Sequence, residues 1–276
     1  MIDPTSSVKK KVAYNGFTNV HPDAQIGENV TISPFVTVEA DVVIGDNCWI
    51  GPNATIMNGT RIGDNCRIFP GAVLGAIPQD LKFEGEYSTL EIGHHTTIRE
   101  YCTLNRGTKA SGRTVVGDHC LLMAYVHVAH DCVIGNHCIL ANNVNLAGHI
   151  TIGDYAILGG LAAVHQFVHI GRHAMISGGS LVGRDVPPFV KAAREPLSYV
   201  GVNRIGLKRR GFTQKEIHAI QDIYRYLFVK GYNLTQALEL IRTELPDSPF
   251  KTEILQFIGE SERGLIKGFR RRERAH

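Results

Sequence analysis

Aliphatic residues recur at every sixth position along most of the first two thirds of the chain. The series covers residues 20–74, resumes over 92–104 and continues over 116–182. Both interruptions keep the phase, because each resumes a whole multiple of six residues after the series stops. Self-similarity over such a length indicates a repeat architecture in which each unit depends on its neighbours for burial.

A single six-residue unit cannot bury its aliphatic side chain, whereas stacked units can. Three short strands per turn produce a triangular coil of about 18 residues, with the aliphatic position pointing inward. Glycine often follows the aliphatic residue, as at Gly27, Gly45 and Gly63, and we expect it to turn the corners. The sequence therefore predicts a mainly β protein with a parallel β-helix domain over residues 1–187.

Two segments, 75–91 and 105–115, break the aliphatic rule. In a coil of this kind such departures are expected to project as loops, which often carry function. The charged residues Asp80 and Lys82 favour a functional role for the first loop. Tolerated surface variation is the alternative interpretation for both loops.

The period of six ends at a pair of prolines, and the sequence beyond them has helical features. The stretch T-Q-K-E from Thr213 is a capping box that predicts a helix to about Lys230. A second helix is expected over 234–245, and Ser248 followed by proline predicts the start of a third. Residues 188–276 are therefore predicted to form a small α-helical domain.

Composition and charge restrict the class of protein. The formal net charge is +3 in 276 residues, and the basic excess lies in the C-terminal part. The N-terminus lacks the apolar core of a signal peptide, and no run of about 18 apolar residues could span a bilayer. We therefore expect a cytoplasmic protein with no membrane span and no nucleic-acid partner.

The cysteines follow the repeat, since each occupies the fifth position of a six-residue unit. They are Cys48, Cys66, Cys102, Cys120, Cys132 and Cys138. One repeat rule accounts for their placement and no C-x-x-C occurs, so we expect small buried core residues. A metal centre or a disulfide framework is the disfavoured alternative.

The stretch Y-V-H-V-A-H-D-C contains a candidate reaction centre. Winding places Gly148 one coil after His130, His149 one coil after Asp131, and Gln166 one coil further on. An imidazole can take a proton from a hydroxyl, and a neighbouring carboxylate can hold its tautomer. A glycine N–H can stabilise an oxyanion. The arrangement predicts acyl transfer from a thioester, with inert surface histidines as the alternative.

The repeat region resembles the hexapeptide-repeat acyltransferases, which fold as left-handed parallel β-helices. The stretches P-Q-D-L-K, H-V-A-H-D-C, A-N-N, L-A-G-H, A-V-H-Q-F, D-V-P-P-F and G-L-K-R-R-G-F occur here in the order of the UDP-N-acetylglucosamine acyltransferase family. The resemblance implies transfer of an (R)-3-hydroxyacyl chain from acyl carrier protein to the 3-hydroxyl of UDP-N-acetylglucosamine, the first step of lipid A biosynthesis. It also implies a homotrimer that needs no cofactor and no metal.

The resemblance assigns roles to particular residues. His130 matches the general base, with Asp131 beside it, and Gly148 matches the residue whose amide binds the oxyanion. Gly178 matches a position where side-chain size limits acyl length. Substrate contacts are implied for Gln79, Asp80, Lys82, His127, His149, His165, Gln166, Asn203, Arg209 and Arg210.

Two positions depart from the family pattern. Ile205 stands where the family commonly has glutamate, and Pro196 lies near a common histidine. These departures bear on nucleotide affinity and on the selection of acyl length, and the sequence does not decide between a 3-hydroxyl and a 3-amino sugar. The basic end from Lys267 could contact the acidic carrier protein or remain solvated.

Two other functions are compatible with a β-helix. Three histidines at a subunit interface can bind zinc, as in the γ-type carbonic anhydrases. The loop around P-Q-D-L-K and the C-terminal helices would have no role in such an enzyme. A repeat scaffold without catalysis is the second alternative, and it would leave the clustered histidines without a purpose.

Overall fold

The computed structural model describes residues 13–14 and 17–268 of the chain. Residues 1–12, 15–16 and 269–276 lie outside the described residues, and with them most of the basic end that could contact a carrier protein. None of the helices in the described part of the chain has the length and apolar character that crossing a bilayer requires.

The chain divides into two compact units. The first unit contains the chain up to Tyr125 together with Ala129–Asp131, and the second contains Val126–Val128 and the chain from Cys132 onward.

The first unit is built from short parallel strands in three sheets. Its described strands are β1 (Ala13–Tyr14), β2 (Asn19–Val20), β3 (Gln25–Ile26), β4 (Thr31–Ile32), β5 (Thr37–Val38), β6 (Val42–Ile44), β7 (Trp49–Ile50), β8 (Thr55–Ile56), β9 (Thr60–Ile62), β10 (Arg67–Ile68), β11 (Val73–Ala76), β12 (Thr89–Ile92), β13 (Thr97–Ile98), β14 (Thr103–Asn105), β15 (Arg113–Val116) and β16 (Leu121–Leu122). The sheet orders are β1-β4-β7-β10-β13-β16, β2-β5-β8-β11-β14 and β3-β6-β9-β12-β15. Every third strand is thus a neighbour, as stacked three-sided coils require.

The second unit continues with strands of the same kind. Its described strands are β17 (His127–Val128), β18 (Val133–Ile134), β19 (Ile139–Leu140), β20 (Asn145–Leu146), β21 (Thr151–Ile152), β22 (Ile157–Leu158), β23 (Ala163–Val164), β24 (His169–Ile170), β25 (Met175–Ile176), β26 (Leu181–Val182), β27 (Val190–Ala193), β28 (Ser198–Val202) and β29 (Lys267–Gly268). The sheet orders are β17-β20-β23-β26, β18-β21-β24 and β19-β22-β25-β27-β28-β29.

Strand register confirms the pairing that the six-residue period predicts. Trp49 pairs with Thr31 one coil before it and with Arg67 one coil after it. Arg67 pairs in turn with Thr97, so the first insertion leaves the ladder without shifting it. From Ile32 onward the side chains at the aliphatic position are buried, as at Ile50. The six cysteines are buried as well, as expected of small core residues.

The corners of the coils differ in part from the prediction that the glycine after the aliphatic residue would turn them. The left-handed conformation falls on the fourth residue of many six-residue repeats, for example Asn47 with φ 57°, Tyr125 with φ 63° and Gly71 with φ 71°. Asparagine tolerates this region, and bulkier residues adopt it here as well. Gly45 serves a different purpose, because a Cβ there would lie 2.8 Å from Asp64 N on the next coil. Glycine is therefore required for close approach between coils.

The C-terminal helices match the predicted boundaries and include one that the sequence did not reveal. The described helices are α1 (Arg204–Arg209), α2 (Gln214–Phe228), α3 (Leu234–Glu244) and α4 (Pro249–Gly259). The capping box at Thr213 and the cap by Ser248 are both present. Helix α1 is too short to show a helical period, which explains its omission from the prediction.

Parallel strand pairing continues beyond residue 187. Strand β27 pairs with β25, with Met175 opposite Lys191, and β28 then runs antiparallel to β27. Within the second unit, Arg172 binds Glu253 of α4 through two contacts of 2.6 and 2.8 Å. The buried hydroxyl of Tyr224 on α2 donates to the Pro188 carbonyl at 2.5 Å. These contacts attach the helices to the last coils.

Candidate active site

His130 and Asp131 form a hydrogen-bonded pair in the first unit. His130 Nδ1 lies 2.8 Å from Asp131 Oδ2, and their side chains are 13% and 1% exposed. Asp131 takes the left-handed corner conformation, with φ 59°. The corner position thus turns the carboxylate back toward the histidine that precedes it.

The second insertion surrounds the Asp131 carboxylate with hydrogen-bond donors. Thr108 N donates to Oδ1 at 3.0 Å, and the Thr108 hydroxyl donates to Oδ2 at 2.7 Å. The Ser111 hydroxyl donates to Oδ1. The Asp131 amide donates in turn to Thr114 Oγ1 at 2.9 Å. The loop therefore engages both carboxylate oxygens.

The contacts of Asp131 determine its charge. Burial alone would raise its pKa, but hydrogen bonds from Ser111, His130 and Thr108 outweigh burial and lower the pKa to about 2. The carboxylate is therefore ionised at neutral pH and can only accept hydrogen bonds. It follows that His130 Nδ1 carries the proton and that Nε2 is left as the basic atom.

The first insertion carries three of the predicted substrate contacts. Gln79 and Lys82 are exposed and Asp80 is half-buried. Asp80 Oδ1 accepts from Lys82 N at 3.0 Å, which closes a tight turn. At the root of the loop, Asn105 Nδ2 donates to the Ile77 carbonyl at 2.7 Å. The buried Asn105 side chain thus holds the start of an exposed loop.

Three predicted active-site histidines lie in the second unit. His127 is half-buried on β17, and His149 has φ 61° at a corner. The ring of His149 stacks on Phe167 with centroids 4.6 Å apart. His165 is exposed, and its Nδ1 lies 3.1 Å from the backbone carbonyl of its neighbour Gln166. Phe167 was not predicted from the sequence, although its corner position is the one that stacks on His149.

Two predicted glycines also lie in the second unit. The carbonyl of Gly148 accepts from Phe167 N at 3.2 Å. Gly178 is exposed, and a Cβ there would lie 2.9 Å from the Gly160 carbonyl oxygen. Any larger residue at position 178 would therefore require a shift of the backbone, which is consistent with a position sensitive to size.

The predicted nucleotide contacts cluster around α1. Asn203 is buried, caps the helix by accepting from Gly206 N at 3.3 Å, and donates through Nδ2 to the His173 carbonyl at 3.0 Å. Its side chain therefore secures α1 to the coil. Arg209 is exposed at the end of the helix. Ile205, the departure from the family pattern, is 71% exposed on the same helix.

Arg210 lies beside a buried histidine. Its guanidinium is 4.8 Å from the centre of the Tyr155 ring, and Tyr155 stacks on His173 at 4.9 Å. Burial, and then the charges of Arg172 and Arg210, lower the pKa of His173 to about 4. His173 is therefore neutral in the folded protein at pH values where a solvated histidine would be protonated.

The low pKa of His173 predicts a loss of stability in mild acid. A histidine in the unfolded chain has a pKa of about 6.5, so the unfolded state binds the proton first. Stability from this group is complete above about pH 6.5 and is lost as the pH falls toward about 4. Between pH 7.5 and 5.0 we expect a loss of about 2 kcal/mol in the free energy of unfolding.

Comparison with the His173→Phe variant isolates the contribution of His173 to the pH dependence of the free energy of unfolding. Phenylalanine suits the aromatic surroundings, and Phe35, Phe167 and Phe189 already adopt the same positive φ. Guanidinium chloride unfolding at both pH values should show a smaller pH dependence for the variant by about 2 kcal/mol. An equal pH dependence in the two proteins would contradict the assignment.

Some of the predicted site residues contact each other in the structure, and other predicted contacts stay predictions. His130 contacts Asp131 in the first unit, and His165 contacts Gln166 in the second. The meeting of His130 with Gly148 stays a prediction from the repeat register. Sequence reasoning missed Thr108 and Ser111, whose only signal was a pair of short hydroxyl residues in a loop that breaks the period.

Comparison with known proteins identifies the family. The bacterial transferase hexapeptide family (six repeats) matches residues 41–76 and 113–148, and domain 2 of the UDP-N-acetylglucosamine O-acyltransferases matches 185–266. The acyl-[acyl-carrier-protein]–UDP-N-acetylglucosamine O-acyltransferase of Chlorobaculum tepidum is 58% identical over 201 residues, which cover 72% of this chain and 76% of that protein.

Solved structures agree with the sequence relatives. The UDP-N-acetylglucosamine acyltransferase of Bacteroides fragilis superposes with a TM-score of 0.91 at 50% identity, covering 92% of this chain and 100% of that one. The enzyme of Francisella novicida gives 0.89 at 38% identity over 93% and 94% of the two chains. The expected left-handed parallel β-helix with a small helical domain is thus confirmed. The chain is an acyltransferase of the UDP-N-acetylglucosamine acyltransferase family.

Proposed function

We propose that this protein transfers an (R)-3-hydroxyacyl chain from acyl carrier protein to the 3-hydroxyl of UDP-N-acetylglucosamine, with His130 as the general base. The observation that carries the proposal is the partly buried His130–Asp131 hydrogen bond of 2.8 Å in a chain of this family. An ionised Asp131 leaves Nε2 of the imidazole able to accept a proton.

In the first step, His130 Nε2 removes the proton of the sugar hydroxyl as its oxygen attacks the thioester carbonyl carbon. The carbonyl oxygen becomes an oxyanion, and Asp131 stabilises the imidazolium. In the second step the carbon–sulfur bond breaks and the imidazolium returns its proton to the departing thiolate. The products are the ester and the carrier thiol, so the base is restored.

Gly148 is proposed to stabilise the oxyanion through its backbone N–H. Asn136 occupies the same position in another six-residue repeat. Its backbone N–H donates to the Asp154 carboxylate, one coil further on, at 2.7 Å. The residue one coil after Gly148 is Gln166, which is exposed and has no carboxylate to offer. This difference supports a role for the Gly148 amide toward an external anion.

The remaining site residues are proposed to bind the substrates. Asp80 and Lys82, with Gln79, hold the sugar, and Arg209 and Arg210 hold the diphosphate end, where guanidinium groups bind bidentately. Gly178 limits the acyl chain. Further substrate contacts are proposed for His127, His149, His165, Gln166 and Asn203.

Assembly and location follow from the same proposal. We propose that the protein works as a homotrimer in the cytoplasm, where acyl carrier protein and the sugar nucleotide are made available. Light scattering of catalytically active protein should give the mass of three chains. A monomeric mass in an active sample would contradict the trimer.

Mass spectrometry of the reaction products tests the proposed activity. Purified protein should convert UDP-N-acetylglucosamine to a 3-O-acyl product with one of a panel of (R)-3-hydroxyacyl carrier-protein thioesters. A parallel reaction with the 3-amino sugar nucleotide identifies the preferred acceptor. Failure to consume any thioester with either acceptor would overturn the proposal, and activity that depends on stoichiometric zinc would favour the zinc alternative.

A further inference from the structure

We propose that Thr108 and Ser111 are positioning residues for catalysis. Their hydrogen bonds hold the Asp131 carboxylate in the orientation in which it accepts the hydrogen bond from His130. This inference rests on the proposed function of His130 and extends it to the second insertion, 105–115. The loop would then be part of the reaction machinery.

Hydrogen-bond donors surround both oxygens of the Asp131 carboxylate. A carboxylate offers about four lone-pair directions, and Asp131 has a donor for each of them. Oδ1 accepts from Thr108 N and Ser111 Oγ, while Oδ2 accepts from Thr108 Oγ1 and His130 Nδ1. The carboxylate cannot turn toward another direction without breaking bonds to the loop. Three of these four donors therefore determine the geometry of the fourth.

The hydroxyl hydrogens of Thr108 and Ser111 point toward the carboxylate. Thr108 Oγ1 also accepts from Ala110 N at 3.2 Å, which leaves its hydrogen to point toward Asp131. Ser111 Oγ lies 2.8 Å from the Arg113 carbonyl and still closer to Asp131. Its single hydrogen belongs to the carboxylate, because a charged acceptor forms the stronger bond.

The carboxylate and its Thr108 donor are buried. Thr108 is 6% exposed, and the side chain of Asp131 is 1% exposed. Water has no access from which to replace the Thr108 hydroxyl, whereas Ser111 is exposed to solvent. Removal of the Thr108 hydroxyl therefore leaves the carboxylate under-satisfied, and it should respond through its remaining partners.

The consequence for catalysis has a definite sign. When Asp131 loses a donor from the loop, fewer donors share its negative charge. Its interaction with the remaining donors, including His130, therefore becomes stronger. It then stabilises the imidazolium more strongly, which raises the pKa of the general base. The acidic limb of the pH profile of kcat/KM should therefore move to higher pH by about half a unit. A loop that only supports the fold would not move this limb.

Thr108→Val tests the proposal, since valine keeps the shape and the backbone N–H but removes the hydroxyl. We expect kcat to fall about tenfold, KM for both substrates to change less than about twofold, and the acidic limb to shift upward. Thr108→Ser restores the hydroxyl and should restore both the rate and the pH profile. Thr97→Val, on strand β13 away from the carboxylate, is the matched control and should behave as the unchanged protein.

A double-mutant cycle shows whether Thr108 acts through Asp131. In an Asp131→Asn background, Thr108→Val should cause less than a twofold further loss, because the carboxylate it holds is already absent. A full tenfold loss in both backgrounds would overturn the proposal. So would a loss of kcat with no shift of the pH profile.

Ser111→Ala gives an independent measurement should Thr108→Val fold poorly. We expect a smaller fall in kcat, of about threefold, with the acidic limb displaced in the same direction, and Ser111→Thr should reverse both effects. Unchanged kinetics in Ser111→Ala and Thr108→Val would refute the proposal. The proposed function fails separately, if the unaltered protein consumes no carrier-protein thioester.

Discussion

Replacing His130 with glutamine is expected to lower kcat by about 10²–10⁴-fold, the usual contribution of a positioned general base. Glutamine keeps a polar side chain of similar length but cannot accept the proton of the attacking hydroxyl. The KM values should change little, because the imidazole acts mainly in the transition state. Steady-state assays with acyl carrier protein thioester and sugar nucleotide measure both parameters.

The matched control for this variant is His218→Gln. His218 is an exposed residue of α2, and its ring forms a hydrogen bond with the Gln214 side chain of the same helix. It should retain the full rate. If the His130 variant keeps more than about a tenth of the rate, His130 is not the general base.

Replacing Asp131 with asparagine has the second largest expected effect, a fall in kcat of at least about 10²-fold. The amide group can donate to His130 Nδ1, which stabilises the tautomer that carries its hydrogen on Nε2. That tautomer cannot accept a proton from the sugar. Asparagine is the appropriate replacement because it tolerates the left-handed conformation, φ 59°, of this corner.

Asp64→Asn is the matched control for the second variant. Asp64 also accepts a backbone hydrogen bond on the coil, from Asp46 N at 2.8 Å, through an oxygen that asparagine retains. Its activity should be unchanged. Circular dichroism and thermal unfolding show whether both variants remain folded, and a folded Asp131→Asn protein with full activity would contradict the role of the carboxylate.

The two insertions are proposed to contribute to the site in different ways. The first presents Asp80 and Lys82 on an exposed turn, where they can meet a substrate. The second supplies Thr108 and Ser111 to a buried carboxylate. The first loop thus presents charged side chains near its surface, and the second directs two hydroxyls at a buried carboxylate, although in the sequence both are only interruptions of the same period.

Helix α1 shows how a predicted substrate residue can also have a structural task. Asn203 is buried between the helix and the His173 carbonyl. A replacement at this position would alter the attachment of α1 as well as any nucleotide contact. The exposed Ile205 on the same helix separates the two effects, because its side chain faces solvent. Ile205 is therefore the better position at which to examine nucleotide affinity.

The amino-acid sequence alone determined the coil, its register, the buried aliphatic and cysteine positions, and the caps of α2 and α4. These features depend on neighbours one coil or one helical turn away, so a local period is enough to specify them. The proximity of His130 to Asp131 followed for the same reason, since the two are adjacent in the chain.

Only the tertiary structure decided what the interruptions of the period do. No periodic rule relates Thr108 or Ser111 to Asp131, which lies more than a coil away in sequence, and the bonds depend on how the loop folds back. The structure likewise showed that residues such as Asn47 and Tyr125 occupy corners of the coils. Gly45 is instead required because neighbouring coils approach each other closely there. Contacts between coils are spatial, and a linear pattern records their spacing without recording which atoms meet.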